Sequence, residues 1–308
     1  MEHRRIGSLE VSVVGLGCNN FGARVDYQGS AAVVRAALDA GIDFFDTADS
    51  YGGGRSEEFI GRALSARRSE VILATKFGMH LEGQGSGARP EYVASAAEAS
   101  LRRLGTDRID LYQLHTPDPS VPIADTLGAM NDLVQAGKVR EIGCSNLSVE
   151  QLREAANAVR PAAARFASVQ NQYSLLHREP EEGVLTECQR LGLAFLPYFP
   201  LASGLLTGKY RRGSPPPEGT RLAASARYRD LLSDANLSVV EALSDYAGSK
   251  GHSLLELAIS WLLAGPVIAS VIAGATRPAQ VQANAAAAGW RLSEQDLAEV
   301  DAMVRQAA

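Results

Sequence analysis

Eight short apolar runs recur along the chain with helical patterns between them. The runs are Val13–Gly17, Phe44–Thr47, Val71–Thr75, Ile109–Leu114, Ile142–Ser145, Ser168–Gln170, Ala194–Tyr198 and Val267–Ile272. Helical patterns are predicted near Ala31–Ala40, Ser56–Leu64, Pro90–Leu104, Ile123–Ala136, Val149–Val159, Glu179–Leu191, Leu254–Leu263 and Pro278–Ala287. Strands alternating with helices mean βαβ units and a parallel sheet. Eight such units in 308 residues suit an α/β fold of the (β/α)8 TIM-barrel kind, typically about 250 residues plus insertions. A doubly wound sheet is the rival. The opening HRRIGSLEVS reads as an N-terminal β-hairpin around Gly7-Ser8, placed to plug one end of a barrel. Leu237–Ala247 and Ser293–Val304 read as extra C-terminal helices. No linker or composition break divides the chain, so residues 1–308 are expected to form a single domain.

Local signals agree with that outline. Ser56 and Ser148 each precede acidic residues at a helix start, as capping hydroxyls do. Gly41 and Gly192 follow helices and precede strands, as C-terminal caps do. Pro200–Ser225, with three consecutive prolines and several glycines, is a long loop of the kind that carries function. The uncharged stretch Leu257–Thr276 imitates a membrane span, but Gly265-Pro266 divides it into a helix and a strand.

The net charge of −5 is spread over interspersed acids and bases, which speaks against nucleic acid and membrane surfaces. Cys18, Cys144 and Cys188 are odd in number and far apart, so neither a disulfide framework nor a metal site is expected. The N-terminus lacks the apolar segment of a secretory signal. A reducing, cytoplasmic setting fits.

Asp46, Tyr51, Lys76 and His115 lie at or just beyond the ends of three consecutive runs. A barrel gathers such ends around one pocket. A tyrosine ordinarily titrates near 10, and an ammonium at ~4 Å favours its phenolate by up to about 4 kcal/mol at an effective dielectric near 20. A phenol tuned in that way can protonate a carbonyl oxygen, with a histidine steadying the developing alkoxide. None of the four is a hydride donor, so a nicotinamide or flavin is required. Each has a plainer reading: Asp46 as a loop cap, Lys76 as a surface charge, Tyr51 as packing, His115 as a partner for a backbone carbonyl. Their joint placement favours the chemical reading.

The segments DTADSYGGGRSEEFIGRAL (Asp46 to Leu64), LATKFG, LYQLHTPDP, IGCSNLS, VQNQYSLL, YFPLASGLLTGKY and SVIAGATRPAQVQAN closely resemble the aldo-keto reductase superfamily, from about Gly15 to Asn284. Their style is similar to bacterial members related to the potassium-channel β-subunit branch. The resemblance implies a metal-free, NADPH-dependent reductase of aldehydes or ketones, with small-molecule substrates and a monomeric or weakly oligomeric state. It makes Tyr51 the general acid, Lys76 the ammonium that tunes it, Asp46 the partner of that lysine and His115 the substrate-orienting donor. It places Ser145, Asn146 and Gln170 at the nicotinamide carboxamide and Tyr198 beneath the ring. Phe199, Pro200, Leu201, Ala202, Ser203, Gly204 and Lys209 fall in the loop over the pyrophosphate, with Arg221 a further candidate. Gly274, Thr276, Arg277, Gln280 and Asn284 match the adenosine-phosphate clamp, and Arg277 can grip a 2′-phosphate. Cys18, Asn19 and Phe21 would face cofactor or substrate, and Phe21, Phe199 and Tyr228, with Tyr51 and His115, would line the substrate pocket. The resemblance to channel β-subunits also admits a redox-sensing, NADPH-binding barrel that acts on a protein partner.

This chain departs from the family pattern in three places. Ala273 stands where many relatives have proline. Ala283 replaces a common glutamate, which removes one contact to the adenosine. Arg277 comes one place later than the arginine of some bacterial relatives. Two further motifs mislead. GLGCNNFG does not fit GxGxxG and reads as a bend after the first strand. Tyr246 and Lys250 fit a YxxxK pair without the glycine-rich turn that such enzymes need, and read as an exposed helix end. Cys144 reads as a small core residue, and Phe77 and Tyr173 read either as substrate-pocket aromatics or as core packing.

Overall fold

The computed structural model describes residues 1–81, 85–224 and 230–306. A hairpin, β1 (His3–Ile6) and β2 (Leu9–Ser12), opens the chain. The repeats follow as β3 (Val14–Gly17), α1 (Tyr27–Asp39), β4 (Phe44–Asp46), α2 (Arg55–Leu64), β5 (Ile72–Phe77), α3 (Pro90–Leu104), β6 (Ile109–Leu114), α4 (Ile123–Gln135), β7 (Val139–Ser145), α5 (Val149–Ala158), β8 (Phe166–Gln172), α6 (Val184–Leu191) and β9 (Ala194–Tyr198). The chain ends with α7 (Arg221–Ala224), α8 (Asp234–Ser249), α9 (Leu254–Leu263), β10 (Val271–Gly274), α10 (Pro278–Ala286) and α11 (Glu294–Gln306). Strands β3 to β9 are parallel neighbours in chain order, and β10 pairs with β3. The parallel bridge between Ile268 and Phe195 closes the ring, giving a (β/α)8 barrel rather than a doubly wound sheet.

Each strand is buried because helices cover its outside and side chains fill its inside. Outside, residues such as Val33, Ile60, Val93 and Leu152 pack against the sheet. Inside, Phe44, Ala74, Leu111, Leu196 and Ile272 meet Ile6, Leu9 and Val11 of the hairpin, which therefore plugs the barrel as expected. Arg4 fixes the plug by donating to the carbonyls of Leu263 (2.9 Å) and Ile268 (2.7 Å).

Several sequence expectations need correction. The last strand begins at Val271, because Val267–Ala269 is occupied in closing the ring: Phe195 N donates to Val267 O, and Ala269 N to Phe195 O. Ser56 is not a cap. Gly54 holds that position, and the buried Ser56 hydroxyl pairs with Thr47 Oγ1 and the Cys18 carbonyl. The predicted Glu179–Leu191 helix is a 3-10 turn, Glu179–Glu182, followed after Gly183 by α6. Helix α1 starts earlier than predicted, because Asp26 caps it by accepting from Gly29 N. At the end of α8 residues 248–250 are exposed as expected, but Tyr246 is buried: Tyr246 Oη and Lys250 Nζ both donate to Asp296 Oδ1, at 2.7 and 2.9 Å, and tie α8 to the start of α11. Ser148 caps α5 in a capping box with Gln151, and Gly41 and Gly192 take left-handed conformations after their helices. Among the described residues no helix is long and apolar enough to cross a membrane.

Gly61, inside α2, shows how closely the outer helices meet. A Cβ there would lie 2.3 Å from the Leu104 carbonyl oxygen at the end of α3. Replacing an interior helix glycine by alanine normally gains about 1 kcal/mol. Here the backbone clash, at about 1–3 kcal/mol or more, exceeds that gain. Gly61→Ala is therefore expected to lower the urea midpoint, and an unchanged or raised midpoint would contradict the packing described.

Candidate active site

Asp46 ends β4, Lys76 lies one residue from the end of β5, and His115 follows β6. These strands are adjacent and parallel, so the three side chains reach the same barrel mouth. Tyr51 opens a 3-10 turn, Tyr51–Gly54, in the loop after β4. Gly52 sits there at φ 60°, and a Cβ on it would come 2.7 Å from the Phe21 carbonyl oxygen. Only glycine lets this loop press against the one after β3 and hold the phenol over the mouth.

Lys76 is fully buried and donates from Nζ to Asp46 Oδ2 at 2.6 Å, to the Thr47 carbonyl at 2.9 Å and to Tyr51 Oη at 3.5 Å. An ammonium has three protons, and these are three acceptors. Asp46 Oδ1 accepts from Gln113 Nε2 (3.2 Å) and Gln170 Nε2 (3.0 Å). The Tyr51 and His115 rings meet edge to face, 5.7 Å between centroids.

The proton inventory differs from the expectation in one respect. Burial raises Tyr51 above its usual range and outweighs the lowering by Lys76, so the phenol stays protonated. Burial acts to lower Lys76, but Asp46 and Tyr51 reverse this and hold it as an ammonium. Burial, with Lys76 adding to it, pushes His115 down to about 3, so the imidazole is neutral. Its Nδ1 is sealed without a partner, which leaves Nε2 as the nitrogen open to the cleft. Burial keeps Cys18 a thiol.

These groups stand at one end of a cleft of about 750 Å³. Of the residues singled out by sequence, Cys18, Asn19, Asp46, Tyr51, His115, Ser145, Asn146, Gln170 and Tyr198 line it. So do Phe199, Pro200, Leu201, Ser203, Gly204, Lys209 and Arg221, and, from the last repeat, Gly274, Thr276, Arg277, Gln280 and Asn284. Lys76 stands behind the wall. Ala202 is buried beneath it, and Phe21 is fully buried rather than facing the cleft, because its ring packs into the hydrophobic core. Tyr228 lies outside the described residues. Phe77 stacks on Tyr112 in the core, and Tyr173 packs against Phe195 and Trp261.

The stretch after β9 has local structure rather than being a plain loop. Phe199, Ala202 and Ser203 all adopt left-handed backbone at φ 51°, 45° and 57°, followed by Gly204 at 98°. Such conformations in non-glycine residues concentrate at binding sites. Sequence reading missed Arg24, Asn20, Met79 and Glu218–Thr220, which also line the cleft. Arg24 donates to Gly219 O (3.4 Å) and Arg221 to Asn20 Oδ1 (2.8 Å), so two bonds join the loop after β3 to residues 219–221. No local pattern marks them; they meet only because the ring closes.

Among the described residues four cations line the cleft, Arg24, Lys209, Arg221 and Arg277, against Glu218 and the already paired Asp46. Burial together with the charges of Arg277, Arg24 and Arg221 lowers Lys209. A protein with a net charge of −5 has thus gathered like charges in one groove, which suits a ligand with several phosphates.

The aldo/keto reductase family model matches residues 13–305. Aldo-keto reductase YhdN of Bacillus subtilis (strain 168) is 36% identical, the match covering 99% of this chain and 94% of the relative. Aldo-keto reductase yakc [NADP(+)] of Schizosaccharomyces pombe is 35% identical over 96% of this chain and 89% of its own. The solved structure of the glycerol dehydrogenase AKR11B4 from Gluconobacter oxydans superposes with a TM-score of 0.88 at 29% identity, covering 99% of this chain and 96% of that one. The chain belongs to the aldo/keto reductase family.

Asp49 lies three residues beyond Asp46, in the loop after β4, but lacks its ion pair. It is buried, and neither carboxylate oxygen has a hydrogen-bond partner. Nearby Glu57 takes the donors Thr75 Oγ1 (2.5 Å) and Arg103 Nε (2.6 Å). Burial and the charge of Glu57 push Asp49 up to about 7. Its unfolded counterpart titrates near 3.8, so the native state keeps a proton that the unfolded state has lost. The stability from that proton is present below about pH 4 and is lost as pH rises through 7. The thermal midpoint of Asp49→Asn relative to the parent should therefore climb between pH 4 and pH 8. A constant difference would mean that Asp49 is ionised in the native protein.

Proposed function

We propose that this protein reduces an aldehyde or ketone to an alcohol with NADPH, Tyr51 acting as general acid, Lys76 and Asp46 setting its environment, and His115 orienting the carbonyl. Family membership makes it an NADP(H)-dependent oxidoreductase in general; the residue roles are our reading. The observation that carries it is the three-way contact of Lys76 Nζ with Asp46, Thr47 O and Tyr51 Oη at the end of a cation-rich cleft.

NADPH supplies the hydride when bound; Lys209 and Arg277, with Arg24 and Arg221, are the residues suited to its phosphates, and Gln170, Ser145 and Asn146 stand near the tetrad end of the cleft. The protein's own groups do the rest. A neutral His115 with its open Nε2–H donates to the carbonyl oxygen and adds no competing positive charge. Tyr51, protonated in the resting state, gives its proton to that oxygen as charge builds there. The phenolate left behind faces an ammonium 3.5 Å away, an attraction of up to about 5 kcal/mol at an effective dielectric near 20. That attraction is weak while Tyr51 is neutral, so it lowers the barrier rather than merely tightening binding. Asp46 offsets the charge of Lys76 and keeps its Nζ fixed. We also read residues 1–308 as one catalytic domain, supported by a family match over nearly the whole chain and a single barrel.

Tyr51→Phe is expected to bind NADPH within a few-fold of the parent, measured by fluorescence titration, while kcat for a panel of simple aldehydes falls by at least about a hundredfold. Near-normal turnover would falsify the assignment of the acid. The His115 ring resonance, assigned by comparison with His115→Gln, should not titrate between pH 5 and 8, because its value lies near 3. Titration near 6.5 would mean that the imidazole is not the neutral donor described.

A further inference from the structure

We propose that Gln113, which neither lines the cleft nor belongs to the tetrad, is a positioning residue for the proton donor, acting by clamping Asp46. It rests on the reading of Tyr51 and Lys76 given above. Gln113 lies inside the barrel on β6, two residues before His115, and is fully buried. Its Nε2 donates to Asp46 Oδ1 at 3.2 Å. Gln170 Nε2 donates to the same oxygen at 3.0 Å and lies 3.5 Å from Gln113 Oε1.

A carboxylate only accepts, so both amides must turn nitrogen towards Asp46. Gln113 then offers its oxygen to Gln170, and the orientation of each amide fixes the other. With Oδ1 held by two N–H groups, Oδ2 is the oxygen left for Lys76, which it meets at 2.6 Å. The clamp thereby sets where the Lys76 ammonium sits and how far its third proton lies from Tyr51. Space for the side chain is reserved from β7: a Cβ on Gly143 would come 3.2 Å from Gln113 Cγ and 2.6 Å from Ser168 Oγ. A buried carboxylate that loses one of two amide donors is poorly compensated and turns towards its remaining partners. Lys76 would follow it and draw away from the phenol.

The test is a double-mutant cycle read by single-turnover reduction of a simple aldehyde with NADPH, with cofactor dissociation constants measured beside it. Gln113→Met keeps the volume and removes the donor. It is expected to lower the reduction rate about tenfold or more, with NADPH affinity changed less than about threefold. Gln113→Asn, which retains an amide, should recover part of the loss. In an Asp46→Asn background the same Gln113→Met change should cost roughly threefold or less, because the charge being clamped is gone. Equal losses in both backgrounds, or a parent-like rate in Gln113→Met, would overturn the proposal. Tyr51→Phe run in parallel separates the two levels: if it abolishes turnover while Gln113→Met does not, only the clamp fails, and if Tyr51→Phe turns over normally, both readings fall.

Discussion

The buried ion pair of Lys76 with Asp46 is the constraint on which the geometry of the barrel mouth depends. Removing two charges from water costs several kcal/mol per ion, and their attraction repays it only when every remaining donor and acceptor is met. Here Thr47 O, Gln113 and Gln170 meet them. Such a pair is weak evidence of stability and better understood as geometry. It holds one ammonium proton towards one phenol in a place from which water is largely excluded.

Asp46 at the end of β4 and Asp49 in the loop that follows show how environment divides identical chemistry. Asp46 faces an ammonium and two amides. Asp49, three residues on, faces Glu57 and is met by no side-chain donor among the described residues. One is paired and the other is pushed towards neutrality, a separation that arises from surroundings and not from side-chain type. The cleft shows the same principle on a larger scale: Arg24, Lys209, Arg221 and Arg277 gather within a protein of net negative charge.

Stability and chemistry occupy opposite ends of the barrel. The hairpin fills one end with Ile6, Leu9 and Val11 and is pinned by Arg4. The other end carries strained left-handed residues and long connections, from the loop after β3 to residues 199–224. A packed base can support backbone strain at the mouth, where a ligand contributes the compensating contacts.

Much was legible in the chain. Alternating strand and helix patterns gave the barrel, and ordered motifs gave the four residues that the fold brings together. Other features were not legible, because they depend on who meets whom across the ring. The last strand was placed too early because Val267–Ala269 looks like a strand but closes the ring with Phe195. Phe21 was read as a pocket residue but is fully buried in the core, and Arg24 went unremarked although it reaches Gly219 across the cleft. The direction of the Tyr51 shift was likewise hidden, since desolvation depends on every neighbour while the pull of Lys76 can be argued from one.

By itself the sequence determined the strand–helix rhythm, the family and which four residues, Asp46, Tyr51, Lys76 and His115, stand at the strand ends, since these are matters of local pattern and residue type. The tertiary structure alone decided how deeply these groups are buried, the contact of Gln113 with Asp46 and the far wall of the cleft. Burial, and contacts between residues far apart in the chain, exist only once the ring is closed.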